Sequence, residues 1–136
     1  MFSQTVEYGL RAMVHLASTA PEACTTQEIA ETTKVPAAYL SKVLQSMRRA
    51  GLIHSRRGVG GGVKLARPPK KISLLDVISA VEPLERSVAL PPRLRSPGAA
   101  LYPLNRKVDG MLDQLRKSCG DISLADVAPR TAKARR

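Results

Sequence analysis

The segment SRRGVGGGVKLARPP, residues 55–69, sets four glycines among arginines and a lysine: Gly58, Gly60, Gly61 and Gly62. Glycine clusters beside a lysine suit phosphate cradles, because bare backbone can approach an anion closely. The spacing here does not fit that chemistry. A P-loop needs glycine directly before the lysine and a hydroxyl residue after it, whereas Val63 precedes Lys64 and Leu65 follows it. A dinucleotide fingerprint begun at Gly58 would need glycine where Val63 stands, and a long helix where Pro68 and Pro69 close the segment. What remains is a glycine turn edged with cations, suited to gripping a polyanion.

The charge of the chain points the same way. Twenty-two basic residues stand against eleven acidic ones, a formal net charge of +11. The excess is regional: Lys34, Lys42, Arg48, Arg49, Arg56, Arg57, Lys64, Arg67, Lys70 and Lys71 fall in one stretch without a single carboxylate. Solvated faces usually mix signs. An acid-free run implies a nucleic acid or an anionic membrane surface. No apolar run approaches membrane-spanning length, and no membrane partner is expected.

Other chemistry finds little support. There is no nucleophile motif, no histidine–carboxylate pairing and no metal set, so the chain is not expected to be an enzyme. His15 and His54 are isolated, and no metal site is expected. Cys24 and Cys119 lie far apart without a CxxC, as in a reduced cytoplasmic protein. The first twenty residues carry Glu7 and Arg11 inside an amphipathic pattern, so no signal peptide is expected there.

These residues must be held by a small, aliphatic, mainly helical core. Val6, Leu10, Met13, Val14 and Ala17 recur at helical spacing, and Pro21 ends that first helix. Thr25 and Glu28 have capping-box spacing for a short helix to about Thr33. After a tight connection at Lys34 and Val35, Pro36 opens a third helix whose stripe Leu40, Val43, Leu44 and Met47 runs to a stop at Gly51. Its opposite face carries Ala38, Ser41, Lys42, Gln45 and Arg49, with no carboxylate. Leu52–Arg57 and Val63–Ala66 read as two strands around a hairpin tip at Gly58–Gly62, and Ile72 as a third strip.

Ser73 and Asp76 then open a helix ending near Val81. Residues 82–103 hold five prolines and read as an irregular connection, long enough to be functional or disordered. Leu104, Val108, Met111, Leu112 and Leu115 mark a long helix ending at Cys119 and Gly120, a natural seam for a partner subunit. Ser123 and Asp126 repeat the capped pattern of Ser73 and Asp76, giving a last short helix. The basic tail 129–136 is expected to be disordered.

A helix, a tight turn, a second helix and a basic hairpin are the parts of a winged helix-turn-helix. In that frame the helix from Pro36 enters the major groove, with Ser41, Lys42 and Gln45 at base edges. Arg56, Arg57 and Lys64 lie on the wing against phosphates or in the minor groove. The fold expected is mainly α with a small β wing: a winged helix-turn-helix over residues 1–81, the irregular loop 82–103, and a dimerisation helix with its short terminal helix over 104–128.

VEYGLRAM, VPAAYLSKVLQSMRRAGLIHSRRGVGGGVKLARPP and ISLLDVISAVE closely resemble the Rrf-two family of bacterial winged-helix transcription regulators. The likeness runs from about residue 3 to residue 82, and the R-G-x-G-G-G wing is its specific signature. It implies a homodimer paired through the helix that begins at Leu104, bound to a palindromic double-stranded operator. It also implies minor-groove entry for Arg57 and base contact for Ser41 and Lys42. With Ala38, Tyr39, Gln45, Arg49, Arg56, Gly60, Gly61 and Lys64 these form the candidate DNA-binding set.

One departure matters. Cluster-binding members of the family carry three cysteines in the loop before the dimerisation helix, and residues 82–103 have neither cysteine nor histidine. No cofactor is expected, an iron–sulfur cluster included, because thiolates are what hold it. Glu7 matches an acidic position that ligates the cluster in some members, but here reads as a solvated or capping carboxylate. The chain is therefore expected to be a sequence-specific dimeric DNA-binding regulator, a repressor. The alternatives are a nonspecific nucleic-acid module and a thiol-based redox regulator using Cys24 and Cys119. A small-molecule effector is a further candidate partner.

Overall fold

The computed structural model describes residues 2–84 and 102–129. Helix α1 (Gln4–Thr19) starts where the Ser3 hydroxyl accepts the Val6 amide at 3.3 Å, and it is the central rod of the fold. Its apolar face, with Val6, Ala12, Met13 and Leu16 fully buried, packs against every later helix of the N-terminal part. Helix α2 (Thr26–Thr33) is capped by Thr25, whose hydroxyl accepts the Glu28 amide at 3.1 Å. The reciprocal bond from the Glu28 side chain does not form, so only half of the expected capping box is present.

Lys34 then takes a left-handed conformation (φ 62°) and its amide closes on the Ala30 carbonyl at 3.0 Å, which makes the turn into α3 (Ala37–Arg49) tight. Pro36 sits just before the helix instead of in its first turn. Leu40, Val43, Leu44 and Met47 are all buried, as the sequence stripe predicts.

Strands β1 (Ile53–Arg56) and β2 (Gly62–Leu65) form an antiparallel hairpin in the register Ile53 with Leu65, His54 with Lys64, Ser55 with Val63 and Arg56 with Gly62. Gly62 thus belongs to a strand, not to the tip. The third strip is contributed by Cys24, which bridges Val63. Ile72 was the expected donor. It instead follows a short 3-10 turn (Pro69–Lys71), and its carbonyl accepts the Leu124 amide at 2.8 Å.

Helix α4 (Leu74–Val81) has the full capping box of Ser73 and Asp76. Helix α5 (Tyr102–Asp121) packs on α4, and α6 (Leu124–Val127) repeats the capping box with Ser123 and Asp126. Leu124 is completely buried in the same core as Met13 and Leu40. The terminal helix therefore closes the N-terminal core, although its sequence position groups it with α5. A second, smaller cluster of Val6, Ile78, Leu84 and Cys119 seats α5 against α1 and α4. Most of the proline-rich loop, residues 85–101, and the tail from 130 onward lie outside the described residues.

Candidate nucleic-acid interface

Helix α3 buries one face and leaves Ala38, Tyr39, Ser41, Lys42, Gln45, Arg48 and Arg49 exposed. That side carries three cations and no carboxylate. Ser41 turns its hydroxyl back to the Ala37 carbonyl at 3.2 Å, and the Lys42 side chain makes no hydrogen bond among the described residues; both side chains are exposed. Tyr39 is half exposed, and its ring leans on Tyr8 of α1 at 5.7 Å between centroids. No side chain caps the first turn of α3, whereas Ser3, Thr25, Ser73 and Ser123 cap α1, α2, α4 and α6. Its opening amides therefore lack the side-chain acceptor that those four helix starts have.

Strand alternation sorts the hairpin. Ile53, Ser55, Val63 and Leu65 share the inner face, and Ile53 and Val63 are buried. His54, Arg56, Gly62 and Lys64 share the outer one, with Arg56 and Lys64 exposed. Arg57 opens the tip, also exposed. The hairpin thus presents its cations outward on a strand pair bolted to the core.

The glycines have an internal reason that the sequence did not show. A Cβ on Gly61 would lie 2.3 Å from the Arg56 carbonyl oxygen, and one on Gly62 (φ +136°) 2.7 Å from that of Cys24. Both positions need glycine to close the hairpin and to receive the Cys24 strip, before any ligand is considered. Gly61 is half-buried and Gly60 exposed, so of the two predicted contact glycines only Gly60 is fully open.

Sequence reasoning also passed over Arg48. This residue donates to the Ser55 side-chain oxygen from Nε at 3.2 Å and from Nη2 at 2.7 Å, tying α3 directly to β1. A basic residue in the last turn of the helix, seven positions from a strand serine, was the available signal.

On α5, Leu104 and Met111 are exposed at 40% and 59%, whereas Val108 is buried and Leu115 packs into the second core cluster. Leu112 is half-buried. The predicted five-residue seam is therefore split: Val108 and Leu115 serve this chain's own core, and Leu104 and Met111 stay open. Cys24 and Cys119 are both buried, in different core clusters. Burial pushes the Cys119 thiol above its usual range, which disfavours the reactive thiolate. Cys24 Sγ lies 3.2 Å from the Thr19 hydroxyl. Glu7 forms an ion pair with Arg11 one turn on, at 2.5 Å.

A helix-turn-helix followed by a two-stranded cationic hairpin defines the class: a winged helix-turn-helix protein. The Rrf2 family profile, described as an iron-dependent transcriptional regulator, matches residues 2–130, and the chain belongs to this family. A candidate HTH-type transcriptional regulator of Aquifex aeolicus is 37% identical over 78 residues, which cover 57% of this chain and 54% of that one. The structure of T. potens IscR matches with a TM-score of 0.72 at 28% identity, over 93% of this chain and 84% of that one. CymR, the global cysteine regulator of B. subtilis, matches with a TM-score of 0.75 at 27% identity, over 94% and 95%. The chain spans about half the length of the curated relatives it matches.

The family description implies iron, and the donor set here does not fit an iron–sulfur cluster. Such clusters are held mainly by cysteine thiolates. The chain has two cysteines, both buried and in separate clusters, and no group of three His, Cys, Asp or Glu side chains able to hold a metal occurs among the described residues. Among those residues, too, no helix is long and apolar enough to cross a membrane.

Proposed function

We propose that the protein is a sequence-specific DNA-binding transcriptional regulator that acts as a homodimer and represses by occupying a palindromic promoter site. Helix α3 enters the major groove, with Ser41, Lys42 and Gln45 at base edges and Arg49 at the backbone. The wing follows the backbone into the adjacent minor groove, with Arg57 leading and Arg56 and Lys64 on phosphates. The observation that carries this reading is the exposed, acid-free surface of α3 joined side to side with an equally acid-free wing through Arg48 and Ser55.

Dimerisation runs through α5, with Leu104 and Met111 at the seam. A second copy doubles the phosphate contacts and places two recognition helices about one turn of DNA apart, near 34–36 Å. The regulator works without an iron–sulfur cluster, in the cytoplasm, and carries out no catalysis. Its signal is a small-molecule effector. A concavity of about 680 Å³ between α1 and α2, floored by Leu10 and Val14, offers one place for it. The buried, deprotonation-resistant Cys119 disfavours a thiol switch.

Selection of bound duplexes from a randomised library tests the reading. An inverted repeat preferred over unrelated duplex by about a thousandfold or more supports specific regulation. Equal binding to all duplexes supports a nonspecific module instead.

A further inference from the structure

The wing's inner face runs out of core before the wing ends. Ile53 and Val63 are buried there, but Ser55, on the same face and paired with Val63, is exposed. Nearer the helix, the junction is firmly built: the Gly51 amide reaches the Arg48 carbonyl and the Leu52 amide the Met47 carbonyl, each at 3.0 Å. Beyond Ser55 come Arg56 and Arg57, the cations on which the interface depends. At this step from packed base to solvated tip, the Arg48 guanidinium closes on the Ser55 oxygen with two N–H groups.

The choice of acceptor is informative. A carboxylate at position 55 would hold Arg48 more strongly, since charge-assisted pairs exceed bonds to neutral groups. It would also cancel positive field in the middle of the surface that meets the polyanion. A serine oxygen holds the guanidinium without adding negative charge. The fork uses two of arginine's five N–H groups, and the Arg48 guanidinium has no other partner among the described residues.

We propose that Arg48 is a positioning residue: through Ser55 it locks the wing at a fixed angle to α3, so that helix and wing meet one duplex as a unit. The inference rests on the reading above that α3 and the wing bind duplex DNA. Arg48 acts through the wing cations, and the lock exists in the free protein.

Ser55→Ala, Arg48→Ala and the double variant test this in the full chain. Both side chains are exposed, so all three should keep the wild-type melting temperature. In the free protein, hydrogen exchange at the Arg56 and Gly62 amides should quicken about fivefold in each single variant and no further in the double one. On a duplex recovered by selection, Ser55→Ala should weaken binding about threefold to tenfold with an unchanged salt slope, because no cation is lost. Unchanged exchange in Ser55→Ala would overturn the proposal. So would a wild-type affinity for Ser55→Ala beside an Arg48→Ala whose salt slope drops by about one, since Arg48 would then be a plain phosphate contact. If the wild-type protein binds no duplex at all, the DNA reading falls, and the exchange rates still decide whether the lock exists.

Discussion

The Cys24 amide donates to the Val63 carbonyl at 2.8 Å, and the Val63 amide donates back to the Cys24 carbonyl at 2.7 Å. This reciprocal pair joins the loop before α2 to the inner strand of the wing. The helix-turn-helix and the wing are therefore one hydrogen-bonded piece, held from below by Cys24 and from the side by Arg48.

Gly62 is the residue that this pairing constrains most. Gly62→Ala would push a Cβ to 2.7 Å from the Cys24 carbonyl oxygen at a φ of +136°. It should cost about 2 kcal/mol or more in urea unfolding. Gly60→Ala, with open space around it and only its φ of +75° to resist, should cost about 1 kcal/mol.

Phosphate contacts and base contacts should separate in mutants. Arg56→Ala should weaken binding to all duplexes alike and lower the salt slope by about one, whereas Gln45→Ala should relax the preference at one base position by about 1–3 kcal/mol. Binding isotherms across salt concentrations, on selected and unrelated duplexes, read both effects.

His15 sets a pH dependence. Burial holds its imidazole below the usual range, opposed in part by the nearby Glu28 carboxylate. The folded protein therefore resists protonation that the unfolded chain accepts. The stability this provides is complete above the ordinary histidine value of about 6.5 and is lost as pH falls below it and through the lowered folded value. Urea midpoints should drop between about pH 7.5 and pH 5.5, and His15→Gln should flatten that drop.

Much of this arrangement was legible in the sequence because it is local. Helical periodicity located α1, α3 and α4, and hydroxyl caps at Thr25, Ser73 and Ser123 set helix starts to within a residue or two. The cations of the wing and the carboxylate-free side of α3 needed only counting. What escaped were pairings between distant segments. Nothing near Cys24 announces a strand partner forty residues away, and Ile72 looks like a strand residue whether its partner is the wing or Leu124. The glycines at 61 and 62 look free for a ligand until the backbone they already touch is seen. Val108 and Leu115 fit a subunit seam by spacing, and only packing reveals that they are used within the chain.

The exposed part of that stripe makes its own prediction. Met111→Glu places a charge at a position 59% exposed in the single chain, so folding should be unaffected. If α5 pairs two copies, sedimentation should show a monomer where the wild type is a dimer, because an unpaired charge at an apolar seam costs several kcal/mol.

The central claim is that α3 and the wing grip duplex DNA through their cations. Fluorescence anisotropy of a labelled duplex, titrated with wild-type protein at about 50 and about 200 mM salt, tests it most directly. A dimer making about six to ten phosphate contacts should lose roughly a thousandfold or more in affinity across that range. An affinity that stays flat with salt, or no binding at either concentration, would contradict the account.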